Sequence, residues 1–144
     1  MNAAIRESFE RSFQLYRDFV GSLDQDALKW KLLGLPSNTI GAQLWCIVGG
    51  RESYSRGIEA GAWSGFSCSL DDSGDRGKVA AALERSEAAV SAILGRLDGH
   101  TAAQSRLLID LLEHEAAHQG QLIRYLYGLK LAIPDSWKSR YALD

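Results

Sequence analysis

The stretch LLIDLLEHEAAHQGQLIRYLYGL, residues 107–129, decides the fold. Leu107, Leu111, His114, His118, Leu122, Tyr125 and Leu129 recur at spacings of three and four, which places them on one face of an α-helix. That face is apolar except for two imidazoles, four residues apart, near its middle. A helix of this kind forms by burying such a face. Both rings are therefore expected to be carried inward, where each needs a partner. Side chains at i and i+4 are neighbours, so the two rings can grip one metal ion.

Working outward, Thr101 followed by Gln104 is a capping box that starts this helix, giving an expected span of 101–129. Asp98-Gly99-His100 reads as a tight turn, with His100 solvated. Before it, Val79, Leu83, Val90, Ile93 and Leu97 predict a helix over residues 76–97. Residues 61–75 are rich in Gly, Ser and Asp and read as a long connection. Asn38 is the expected N-cap of a helix over 39–60, with Ile40, Leu44, Ile47, Tyr54 and Ile58 as its stripe. Beside that stripe lie Ala42, Cys46, Gly49, Gly50 and Ser53, all small. Two adjacent glycines cost a helix roughly 1 kcal/mol each against alanine, and either close packing or room for a ligand would offset that. Ile5, Phe9, Phe13, Tyr16 and Val20 mark a first helix over 2–20, with Asn2 as N-cap and Gly21 as its stop. Ser22 to Gln25 has a capping-box pattern and predicts a short helix to Lys29. At the far end, Pro134 to Trp137 predicts a short turn that pins Trp137 to the rest.

No segment alternates with period two, so no sheet is expected. Four long amphipathic helices imply an all-α four-helix bundle, one domain over residues 1–144. The third and fourth helices are expected to be antiparallel neighbours, because their link is so short. The connection of about 14 residues between the second and third spans on the order of 46 Å extended. A helix of about 22 residues is roughly 33 Å long. The third helix can therefore start at either end.

Hydrophobic residues make up 46% and charged residues 24%, as in ordinary globular proteins, and the net charge of −2 offers no basic footprint for nucleic acid. No apolar run suits a membrane span, and MNAAIRESFERSF lacks the apolar core of a signal peptide. The expected location is cytoplasmic, where Cys46 and Cys68 would be free thiols or a ligand and not a disulfide.

His114-Glu115-Ala116-Ala117-His118 matches the zinc-peptidase pattern H-E-x-x-H, in which Glu115 would be the general base. The context argues against a peptidase. Gln121 and Arg124 stand where a metzincin needs Gly and His, and no glutamate follows Glu115 to act as a third ligand. The two histidines are otherwise core residues or metal ligands, and two on one apolar face favour the metal. A catalytic zinc takes three protein ligands and keeps a position open. Cys46 is the best third donor, and its soft thiolate favours zinc. As a small buried hydrophobe it needs no metal at all.

Three stretches carry a resemblance to a known family. Asn38-Thr39-Ile40-Gly41 leads into Leu44-Trp45-Cys46-Ile47-Val48; HEAAHQGQ runs from His114 to Gln121; Ile133-Pro134-Asp135-Ser136-Trp137 is joined by Tyr141-Ala142-Leu143. In order and spacing these resemble the DinB/YfiT-like four-helix-bundle metalloproteins over nearly the whole chain. The resemblance implies an up-down-down-up bundle, a homodimer, and a divalent metal such as zinc, nickel or iron on three histidines. Two of these carry over onto His114 and His118; Cys46 stands where the family has the third. It also implies a small-molecule substrate, either thiol S-transfer with a low-molecular-weight thiol or hydrolysis-type chemistry. The expected site is thus Cys46, His114 and His118 around zinc, with Glu115 as a nearby residue or general base, or else solvated. Gln43, Tyr54 and Gln121 are further candidates to line a pocket. The rival expectation is a non-catalytic dimeric bundle with a structural or lost metal.

Overall fold

A computed structural model describes residues 2–144. The chain is all-α: among the described residues there are five α-helices, two short 3-10 turns and no strand. They are α1 (Asn2–Ser22), α2 (Ile40–Ala60), α3 (Arg76–Leu94), α4 (Ala102–Gly128) and α5 (Asp135–Tyr141). None is long and apolar enough to cross a membrane.

The helix starts follow side-chain chemistry. Thr101 accepts from the Gln104 amide and the Gln104 side chain returns the bond, so the capping box is formed. Thr101→Ala should cost about 1 kcal/mol, read as a fall in Tm of about 3 °C in a thermal melt. Thr39, not Asn38, caps α2, accepting from the Ala42 amide at 3.0 Å. Asn38 is free for another task described below. The pattern at Ser22 is not used as a cap: the short element is a 3-10 turn, Gln25–Lys29, with no side-chain cap bond at Asp24. Ser22 instead donates to the Phe19 carbonyl one turn back. Asn2 lies inside α1, and its side chain donates to Asp98. The third helix stops at Leu94, and Leu97–Gly99 forms the second 3-10 turn. Gly61, at φ +81°, ends α2 in the left-handed conformation that glycine adopts freely.

The long connection runs back along α2. Ser73's carbonyl lies against Gly41 so closely that no side chain would fit there. The Gln25 side chain then bridges the Gly74 carbonyl and the Arg76 amide. So α3 starts beside the start of α2. Arg76 also donates to the carbonyl of Val20, which ties the start of α3 to the end of α1. Gln104 donates to the Ile58 carbonyl and Tyr125 to that of Asn38, so α4 lies antiparallel against α2. Trp137 of α5 is fully buried, donates to the Leu15 carbonyl at 2.7 Å and packs on Tyr16 and Phe19.

The core has two parts. One holds Tyr16, Phe19, Leu44, Val48, Leu122 and Trp137; the other holds Phe9, Phe13, Ile58, Leu108 and Leu111. Along α1, α2 and α4 the step between them is polar: Ser12, Arg51 and Glu115 are all buried there.

Candidate metal centre

The inward face of α4 is rotated from the one its leucines suggested. Leu108, Leu111, Glu115, Gln119, Leu122, Tyr125 and Leu126 are buried, while His114 and His118 stand at the edge, half-buried. Glu115 is therefore not solvated. Arg51 donates to both of its oxygens and Ser12 to one, and the Tyr16 hydroxyl donates to its backbone carbonyl at 2.7 Å. Arg51 and Glu115 are only 1% and 0% exposed. The Arg51 guanidinium also lies over the Phe13 ring, 4.7 Å from its centroid. The carboxylate of the H-E-x-x-H pattern is thus held in the core, bonded to Arg51 and Ser12.

The edge position brings the histidines to α2. Ligand atoms of Cys46, His114 and His118 all lie within 4.8 Å of one another. Each residue comes from a different turn, so only the antiparallel pairing of α2 with α4 assembles them. The adjacent glycines have separate reasons. A Cβ on Gly50 would stand 2.6 Å from Cε1 and 2.8 Å from Nδ1 of His114. A Cβ on Gly49 would collide with the Phe66 ring and come within 2.9 Å of Cys68 Cβ. One glycine admits the histidine and the other admits the connecting segment, so close packing is the offset at both.

His118 is oriented by a chain of hydrogen bonds. Gln43 donates from Nε2 to Asn38 Oδ1 at 2.8 Å, which leaves its Oε1 facing His118 Nδ1. Nδ1 therefore carries the proton and donates, and Nε2 keeps its lone pair for an ion. Asn38 Oδ1 is held in turn by the Tyr125 hydroxyl at 2.9 Å. Outer bonds of this kind fix the tautomer of metal-binding histidines. Gln43→Ala should weaken zinc binding by roughly 10- to 100-fold with the helix content unchanged, as measured by competition with a chelating dye and circular dichroism.

His114 supplies the complementary observation. Its Nδ1 is buried and has no hydrogen-bond partner. Buried polar atoms are normally satisfied; this nitrogen faces Gly50 of α2 and is left open, on a ring whose ligand atom groups with those of Cys46 and His118. Burial lowers the pKa of both histidines, that of His118 to about 4, with the neighbouring His114 adding to it. Both rings are neutral near pH 7, the form that binds metal. Burial pushes the Cys46 thiol up from its ordinary value, so without an ion it is protonated.

The remaining candidates divide. Tyr54 stands beside His114, ring centroids 6.3 Å apart, and Gln43 touches His118. Gln121 is exposed. His100 is half-buried, with its Nδ1 buried without a partner, and it takes no part in the centre. Sequence reasoning missed Asn38 as an orienting residue and Arg51 as the partner of Glu115. For Arg51 a signal existed: with Leu44, Ile47 and Ile58 it falls on the apolar stripe of α2, as Glu115 falls on that of α4.

The chain matches no protein-family model and no curated protein.

Proposed function

We propose that the chain is an up-down-down-up helical bundle of the DinB/YfiT-like type whose Cys46-His114-His118 centre holds one divalent ion and serves thiol chemistry. The observation that carries this reading is the convergence of the three ligand atoms within 4.8 Å. The end-to-end contacts of α1 with α3 and of α2 with α4 support the topology. The donor set of one soft thiolate and two imidazoles suits zinc over magnesium or calcium, with nickel and iron as the other metals of this type. Three protein donors leave the remainder of the shell to solvent or a substrate atom, the pattern of reactive and not structural sites.

When bound, the ion supplies a positive charge that lowers the pKa of a thiol or water in that open position. The chain's own residues perform the rest. Gln43 and Asn38 hold His118 in one tautomer. Gly50 lets His114 approach. The rings of Tyr54 and its neighbours shield the centre on one side. In thiol transfer, the sulfur of a low-molecular-weight thiol forms a bond to an electrophilic carbon, the leaving group departs with the displaced electron pair, and the thiol proton passes to solvent. The homodimer that accompanies this resemblance is checked by sedimentation.

The test is a screen of the zinc-loaded protein against electrophilic acceptors with and without added thiols. Turnover that needs both the thiol and zinc is the expected result. Turnover without thiol would replace transfer by hydrolysis. A zinc-loaded protein with no turnover in any pairing would favour a non-catalytic bundle.

A further inference from the structure

Exposed aromatic side chains lie on α2 and the connecting segment beside the candidate metal centre. Trp45, Phe66 and Trp63 are 36%, 43% and 47% exposed. They are paired: Trp45 with Phe66, centroids 5.4 Å apart, and Trp63 with Tyr54, 4.8 Å apart. The Tyr54–Trp63 pair reaches the centre through His114, and the Trp45–Phe66 pair lies on the adjacent face of α2 at Gly49. Phe66 lies against Gly49 and His114 against Gly50, so the two rings occupy consecutive positions on α2. Tyr54 continues to His114, and His114 to His118 at 4.7 Å.

The rings are held, not adventitiously placed. The segment carrying Trp63 and Phe66 is tied to α2 by Ser67, whose amide donates to Ser53 Oγ at 3.0 Å. Arg56 donates to Ser67 Oγ at 2.6 Å, and the Ser69 amide donates to Glu52 at 2.8 Å. Glu52 and Arg56 are thereby engaged. The charges that bear on Tyr54 are acidic: after burial, Asp110 and Glu113 push its phenol upward. The surroundings offer a ligand flat apolar faces, with the carboxylates of Asp110 and Glu113 near Tyr54.

We propose that the open side of the centre takes an uncharged ligand with an aromatic body, its sulfur toward the ion and its ring on the Trp45–Phe66 and Tyr54–Trp63 faces. This rests on the metal-centre reading and narrows it: an aryl-bearing neutral thiol fits, and an anionic thiol such as glutathione does not. Stacking and apolar burial favour the ring, and like charge disfavours the anion.

The experiment compares benzyl mercaptan, 2-mercaptoethanol and glutathione on the zinc-loaded protein by calorimetry. Benzyl mercaptan is expected to bind at least about tenfold tighter than 2-mercaptoethanol, with glutathione weakest. Trp45→Ala and Trp63→Ala should each bring the ratio several-fold toward unity with zinc content unchanged. Equal affinities in the wild type, or a ratio that neither variant moves, overturn the proposal. An unmoved ratio together with a dimer that Trp45→Ala makes monomeric by sedimentation would reassign the rings to contact between two copies. Failure to bind zinc removes the metal centre and this ligand class together; zinc bound with no aryl preference removes the ligand class alone.

Discussion

Replacing Glu115 with glutamine is expected to lower stability by about 3–5 kcal/mol, because the buried Arg51 guanidinium loses the charge that compensates it. In a chain of this size that is a fall in Tm on the order of 10 °C. The amide can keep a bond to Ser12, but it cannot neutralise a cation that is 1% exposed and set over the Phe13 ring. Arg51→Met alone should cost a similar amount by leaving the carboxylate unpaired. Arg51→Met with Glu115→Leu should recover most of it, since apolar groups of similar volume replace buried pairs at little cost. A double variant as damaged as either single would show that the pair contributes more than its mutual neutralisation.

The same variants separate two roles for Glu115. A residue that acts only in the core leaves zinc stoichiometry intact and affects turnover only through stability. A general base would abolish turnover in a Glu115→Gln protein that is still folded and loaded. The geometry supports the first, since both carboxylate oxygens are already bonded to Arg51 and Ser12.

The second large effect is on the ion. His118→Ala and Cys46→Ala should each weaken zinc binding on the order of 100- to 1,000-fold, the share of one ligand in a typical zinc site. Measured by chelator competition, the wild type should carry about one zinc per chain. Both side chains are half-buried at the edge of α2 and α4, so melting of the metal-free variants should stay close to that of the metal-free wild type. Metal retained without Cys46 would hand its position to another donor.

Affinity should also rise with pH. Near neutrality the histidines are already neutral, His118 having a pKa of about 4, whereas the Cys46 thiol is raised and holds its proton. Binding therefore displaces one thiol proton, and affinity falls about tenfold for each pH unit below neutrality. The decline steepens further where the rings begin to charge, near pH 4 for His118. Calorimetry in buffers of different ionisation heat reads the released proton directly.

Much of this molecule is legible in its residues. The period of α4, the Thr101–Gln104 box and the burial of Trp137 follow from local chemistry: helix spacing, a hydroxyl that satisfies a free amide, and an aromatic surface that leaves water. The two imidazoles mark a site because four residues along a helix is a neighbouring position. Cys46 is legible only as a candidate, for nothing local distinguishes a ligand thiol from a small buried one.

What tertiary structure decided was which way each face turns and what meets across it. The leucines of α4 leave its rotation open by a fraction of a turn. Pairing Glu115 with Arg51 in the core settles that rotation, and it moves His114 and His118 to the edge where Cys46 stands. The run of the connecting segment back along α2 was equally open, since its length reaches either end. Ser73 against Gly41 and Phe66 against Gly49 choose one. Periodicity records that a side chain is buried; the partner that neutralises, bonds or ligates it comes from a distant part of the chain, and only packing brings the two together.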